Sequence, residues 1–192
     1  FASQHKAWLW ILLLIFTYRL PDGFIGFISN SFYVKVGFSK TEIAGIVKLF
    51  GLGATLSGAV LGAILMRRFT LHTCLVAFLL FQMIANLAFM GFSVFGPDIP
   101  YLMLTVSLDN LSMGMITAAA ITYMMQLCDL RFTATQYALL SSLASLASKT
   151  LAGAAGWVAD GHGWPAMFAL SALLGLPALA ILLCLGKRLG IR

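Results

Sequence analysis

AWLWILLLIFTYRLPDGFIGFIS, residues 7–29, is lipid-soluble at both ends and charged in the middle, where Arg19, Pro21 and Asp22 interrupt it. A run this long and this apolar is a membrane-spanning helix, which needs about 20 mostly apolar residues. A charge at membrane depth costs about 2.5–3.5 kcal/mol on insertion scales, so Arg19 and Asp22 must face protein or a polar cavity rather than lipid. The residues between them say how. Pro21 removes a backbone donor and Gly23 loosens the ladder, which predicts a break in the helix near its midpoint. Arg19 and Asp22, three residues apart, then fall on one face and pair.

The rest of the chain agrees. Its 192 residues are 61% hydrophobic and 9% charged, against about a quarter charged in soluble domains. Six apolar stretches follow one another, at roughly 7–32, 41–66, 71–94, 99–127, 134–159 and 164–186. They are parted by GFSKTE (37–42), MRRFT (66–70), FGPDIP (95–100), CDLRFTAT (128–135) and DGHGWP (160–165). The fold expected is an all-α integral membrane bundle of six helices, one domain over 1–192. The first apolar run is too long for a signal peptide and carries no cleavage site. A start at Phe1 rather than Met predicts that residues precede it.

The net charge of +6 falls mainly at span ends, where topology and anionic lipid account for it, so nucleic acid is not an expected partner. Lys6, Arg67, Arg68, Arg131, Lys187, Arg188 and Arg192 lie on one side; Lys35 and Lys40, with Glu42, Asp98 and Asp160, lie on the other. The basic excess places both termini in the cytoplasm. Gln126, Arg131 and Gln136, near that face, either gate it or cap helix ends.

Within the spans the ionisable residues are Arg19 and Asp22 in the first, Lys48 in the second, Asp109 in the fourth and Lys149 in the fifth. Helices one, two, four and five are therefore expected to face something polar, with three and six as outer supports. An Asp in the first helix of each triplet and a Lys in the second suggest a three-plus-three inverted repeat, whose interface near the midplane is where transporters bind substrate and coupling ions. Pairs such as Arg19–Asp22 or Lys48–Asp109 that only stitch helices together are the structural alternative. The positive surplus points to an anionic small-molecule ligand. Arg19, Lys48, Lys149 and Asn110 are the candidate substrate-binding residues, and Arg19, Asp22 and Asp109 the candidate proton-coupling or ion-pair set. Ser142, Ser145, Gly153 and Gly156 give Lys149 a small, polar face.

Other features read as structure. Ala54, Gly58 and Gly62, and Ser141, Ser145, Ser148, Ala152 and Gly156, are stripes of small residues for helix packing. Gln82 and Asn86, one turn apart in the third span, suit interhelical hydrogen bonds. Cys74, Cys128 and Cys184 and the scattered His5, His72 and His162 have no metal-ligand or disulfide spacing, and His162 reads as a plain loop residue. There is no GxxxxGK[ST] loop for ATP and no HExxH or Ser/His/Asp arrangement, so neither an enzyme nor a cofactor is expected.

Polar first, second, fourth and fifth helices resemble half of a major facilitator transporter. More specifically, FYVKVGFSKTEIA (32–44), GAILMRRFTL (62–71), LCDLRFTATQYALLSSLA (127–144) and AGWVADGHGWPAMF (155–168) look like the C-terminal half of AmpG-type anhydromuropeptide permeases. The resemblance implies proton-driven import of N-acetylglucosaminyl-anhydromuramyl peptides across the bacterial inner membrane, a step of peptidoglycan recycling, with an N-terminal six-helix half as partner. More distantly it points to carriers of acetyl-CoA-like anions. A non-transporting membrane module is the reading from another class. GAILMRRFT lacks the acidic residue of the facilitator GxxxDRxGR loop, which removes the basis for a gating salt bridge there.

Overall fold

The computed structural model describes residues 7–26, 28–129, 131–150 and 152–186. Lys6, Lys187, Arg188, Arg192 and His5 lie outside them, as do the side chains of Ser148 and Ala152. Ten helices are described: α1 (Trp8–Tyr18), α2 (Leu20–Gly26), α3 (Ser29–Val36), α4 (Lys40–Arg68), α5 (Leu71–Phe95), α6 (Ile99–Leu127), α7 (Thr133–Thr150), α8 (Ala152–His162), α9 (Trp164–Leu173) and α10 (Leu176–Leu185). Among the described residues, five segments are long and apolar enough to cross a membrane: Trp8–Val36, Lys40–Arg68, Leu71–Val94, Ile99–Leu127 and Trp164–Leu185. The protein is an all-α membrane protein.

One expected single helix is divided. The first apolar stretch is three helices in series, with the first break at Arg19. Pro21 supplies no N–H to the turn before it, and Gly23 restores the ladder by donating to the Arg19 carbonyl at 3.1 Å. The fifth stretch, expected as one helix over 134–159, is helical on both sides of residue 151, which lies outside the described residues: α7 before it and α8 after it.

The connections are built from turn chemistry. Gly37 ends α3 at φ 115°, a left-handed conformation that favours glycine. Ser39 then caps α4: its Oγ accepts from the Glu42 N–H, and the Glu42 carboxylate accepts from the Ser39 N–H at 2.9 Å. Asp98 caps α6 the same way, accepting from the Tyr101 N–H at 3.0 Å, with Pro100 in the first turn. Gln136 folds back to accept from the Asp129 N–H at 2.8 Å, which shapes the α6–α7 loop.

The packing has a clear centre. The small-residue stripe of α4 lies directly on α6: a side chain at Gly58 would meet the Leu111 backbone, and one at Gly62 would come within 3.1 Å of the Met115 Cα. Gly114 returns the contact from α6, against the backbone of Thr55, Gly58 and Ala59. Two helix backbones thus touch without side chains between them, the arrangement that lets helices associate where lipid supplies no hydrophobic drive.

Around this axis the apolar core is in two parts. One joins α1, the start of α5, the end of α6, α7 and α10, through residues such as Ile11, Leu75, Ile116 and Leu182. The other joins α2, α3, the start of α4, the end of α5, the start of α6, α8 and α9, and is largely aromatic. In it Phe32 packs against Phe92, Trp164 and Phe168, and Lys35 sits 5.6 Å over the Trp164 ring. Between the two cores the first stretch, α5 and α6 each pass through an interval that belongs to neither, and it holds Arg19, Asp22 and Asp109.

Candidate functional site

The interval falls between Tyr18 and Phe24 on the first helix, between Leu79 and Phe89 on α5, and between Val106 and Met115 on α6. It contains Arg19, Asp22, Gln82, Asn86, Asp109, Asn110 and Ser112. A polar layer therefore runs across the bundle between two apolar cores, and each of its residues is placed by the helix that carries it past the same depth.

Arg19 and Asp22 are paired, Nη2 to Oδ2 at 3.1 Å. The helix break makes this possible, because it presents both side chains on one side of the chain. The pair is mostly enclosed, with the side chains 22% and 13% exposed.

Asp109 lies in the same polar layer, on α6, and is held there by α5. Gln82 Nε2 donates to Asp109 Oδ1 at 2.9 Å and to Asn86 Oδ1 at 2.9 Å, while Gln82 Oε1 accepts from the Ser112 hydroxyl at 2.6 Å. Gln82, Asn86 and Ser112 are fully buried. Gln82 and Asn86 do make hydrogen bonds within the bundle, as read from the sequence, but Gln82 also positions a charged candidate. The third span is thus part of the polar layer and not solely an outer support. The signal in the sequence was the Asp109–Ser112 spacing, which puts a carboxylate and a hydroxyl on one α6 face opposite the amides of α5.

Replacing Gln82 with leucine would leave Asp109, Asn86 and Ser112 each one partner short. A destabilisation of about 2–4 kcal/mol is expected from unsatisfied buried groups. Asn86→Leu should cost less, because the Asn86 Nδ2 already lacks a partner. Thermal melts in lipid nanodiscs test this order, and equal melting temperatures for the two variants would contradict it.

The remaining candidates stand apart from this cluster. Asn110 brackets the close contact of α4 and α6: it accepts from Thr55 Oγ1 at 3.1 Å and donates to the Val106 carbonyl at 2.8 Å. Lys48 and Lys149 are exposed on α4 and α7. The stitching pair Lys48–Asp109 does not form among the described residues. Ser142, Ser145 and Gly153, expected around Lys149, are exposed with it. Gly156 is half-buried, with Ile28 within 3.9 Å of where a side chain would begin.

No family model matches the chain. Individual proteins do. The chain is 36% identical over 184 residues to the anhydromuropeptide permease of Escherichia coli K12, a match over 95% of this chain and 37% of that protein. It is 35% identical over 181 residues to a Rickettsia felis protein that bears the transporter name AmpG 4, over 94% of this chain and 44% of the relative. A Rickettsia prowazekii protein carrying the name AmpG 1 is 30% identical over 181 residues. The chain spans less than half the length of these curated relatives. Over nearly all its own length, this chain is homologous to a segment of the AmpG-type anhydromuropeptide permeases.

Proposed function

We propose that the chain is the C-terminal half of a major facilitator transporter, built as an inverted three-plus-three repeat, that imports anionic muropeptides with protons across the bacterial inner membrane. The observation that carries this reading is the polar layer. A bundle that only anchored something in lipid would gain nothing from two carboxylates and a guanidinium held between two apolar cores. Such charges are costly at membrane depth and mark ion or substrate paths. The homology to permeases supports the same reading.

In this scheme Arg19 and Asp22 form a switchable pair, and Asp22 or Asp109 takes the proton. Gln82 holds Asp109 in place for it. Lys48 and Lys149, on exposed faces of α4 and α7, bind substrate carboxylates against the other half of the transporter. Asn110 joins them only by giving up Thr55. Both termini of the segment are cytoplasmic in this arrangement, and access alternates by rocking of the halves.

The test is uptake of labelled anhydromuropeptide into proteoliposomes by the complete transporter that contains this segment, with and without a proton gradient. Uptake should depend on the gradient, and Lys149→Ala should abolish it while folded protein persists. Wild-type uptake by Lys149→Ala would remove the role given to that lysine. No uptake by the parent protein would favour a non-transporting module.

A further inference from the structure

Ser112 carries one hydroxyl proton and has two acceptors in reach: Gln82 Oε1 at 2.6 Å and the Asp109 backbone carbonyl at 2.8 Å. Only one can take it at a time. Gln82 spends its two N–H groups on Asp109 Oδ1 and Asn86 Oδ1. Asn86 is held at that end alone, because among the described residues its Nδ2 has no partner. Gln82, Asn86 and Ser112 are fully buried, whereas Asp109 is half-buried and can exchange a proton.

This pattern suits an ionised Asp109, which only accepts. A proton on Oδ1 would point at the Gln82 N–H groups, which have no lone pair to receive it. The two ends of a primary amide have nearly the same shape, so Gln82 can turn end for end where it stands. Its oxygen then accepts from the protonated Asp109, and its nitrogen donates to Ser112 Oγ. Ser112 gives its own proton to the Asp109 backbone carbonyl, a contact already at 2.8 Å. Asn86 turns with Gln82 and donates from Nδ2 to the same amide oxygen, which has a lone pair for each donor. Nothing among the described residues holds the far end of Asn86, so its turn breaks no other bond. Each hydrogen bond of the first pattern has a counterpart in the second, and no helix moves.

We infer that the Gln82 amide is a two-position relay that follows the proton on Asp109: nitrogen toward the carboxylate when it is ionised, oxygen toward it when it is protonated. The inference rests on Asp109 as the proton carrier of the transport reading above and deepens it. Gln82 and Asn86 take up no proton themselves; they turn, and Ser112 passes from donating to Gln82 to accepting from it. Both states of Asp109 are thereby satisfied within a buried network, so the proton arrives and leaves without an unpartnered polar atom facing the carboxyl. The ionisable groups on the elements packed beside Asp109 are Arg19 and Asp22 of the first stretch and Tyr33 of α3. On the other sides α5 presents amides, and Lys48 on α4 is exposed. These groups are the same in the parent and in the variants below, so they do not give shifts of opposite sign.

The experiment is an infrared titration of the complete transporter in nanodiscs, following the protonated-carboxyl band that Asp109→Asn removes. Ser112→Ala takes away an acceptor and a donor used by the second pattern but only a donor used by the first. Its band should therefore appear at lower pH than in the parent, by about half to one pH unit for one hydrogen bond. Asn86→Leu leaves a Gln82 N–H without an acceptor in the first pattern, while in the second the amide oxygen keeps its Asp109 donor. Its band should appear at higher pH than in the parent, by a similar amount. Ser112→Thr, which keeps the hydroxyl, should titrate like the parent.

A Ser112→Ala midpoint at or above that of the parent overturns the relay and leaves Asp109 as the proton carrier. So do shifts of one sign in both variants. Ser112→Ala removes a single heavy atom and decides the question alone should Asn86→Leu not fold. A parent with no titrating band that Asp109→Asn removes overturns Asp109 as the carrier, and the relay falls with it.

Discussion

Adding one methyl group at Gly58 or Gly114 is expected to destabilise the bundle, whereas the same change at Gly45 or Gly53 is expected to stabilise it. All four are helical glycines, and in a helix alanine is favoured over glycine by up to about 1 kcal/mol. At Gly45 and Gly53 nothing lies within 4 Å of the new atom, so that gain is realised. At Gly58 and Gly114 the new atom meets backbone of the facing helix, Leu111 in one case and Thr55 with Ala59 in the other. Backbone cannot rotate aside as a side chain does, so α4 and α6 must separate. Overpacking of this kind costs about 1–3 kcal/mol where side chains can yield, and the upper end or beyond is expected here.

The intermediate positions grade the effect. Gly62, with the Met115 Cα at 3.1 Å, should be moderately sensitive; Gly51, which meets only the Asn110 side chain at 3.4 Å, should be tolerant. Melting temperatures of the six alanine variants in one lipid composition should fall into that order. A lowered melting temperature at Gly45 equal to that at Gly58 would show that the close α4–α6 contact is not what these glycines serve.

The same contact shows where sequence and structure part. The spacing of Gly58 and Gly62 marks a packing face, because a stripe at intervals of four has few other uses in a lipid-facing helix. It does not say which helix fills the groove. Gly114, alone in SMGM, has no visible period, yet it is the counterpart on α6. Helix choice is a property of the whole bundle, and no local pattern encodes it.

The polar layer divides in the same way. Charges in apolar runs stand out at once, so Arg19, Asp22 and Asp109 were legible, as was the break at Pro21. Gln82 and Ser112 were harder to rank, because an amide or hydroxyl in a span usually serves packing. Only the geometry shows that Gln82 joins Asp109, Asn86 and Ser112.

The Arg19–Asp22 pair supplies the other large effect. Asp22→Leu should lower stability by about 3–5 kcal/mol, the cost of leaving one charge of a buried pair alone. Arg19→Leu should cost less. A guanidinium keeps its proton at any accessible pH, so without Asp22 it remains charged among apolar neighbours. A carboxylate left without Arg19 can be neutralised by a proton. The double variant Arg19→Leu/Asp22→Leu removes both charges and should recover most of the lost stability, as replacing buried pairs with apolar residues generally does. Melts of the three variants measure the asymmetry. Uptake by the complete transporter then separates the two readings of the pair. If it only stitches α1 to α2, the double variant folds and transports. If the pair is the switch, the double variant folds and transport is lost, and wild-type uptake by a stable double variant would sink the coupling role of both residues.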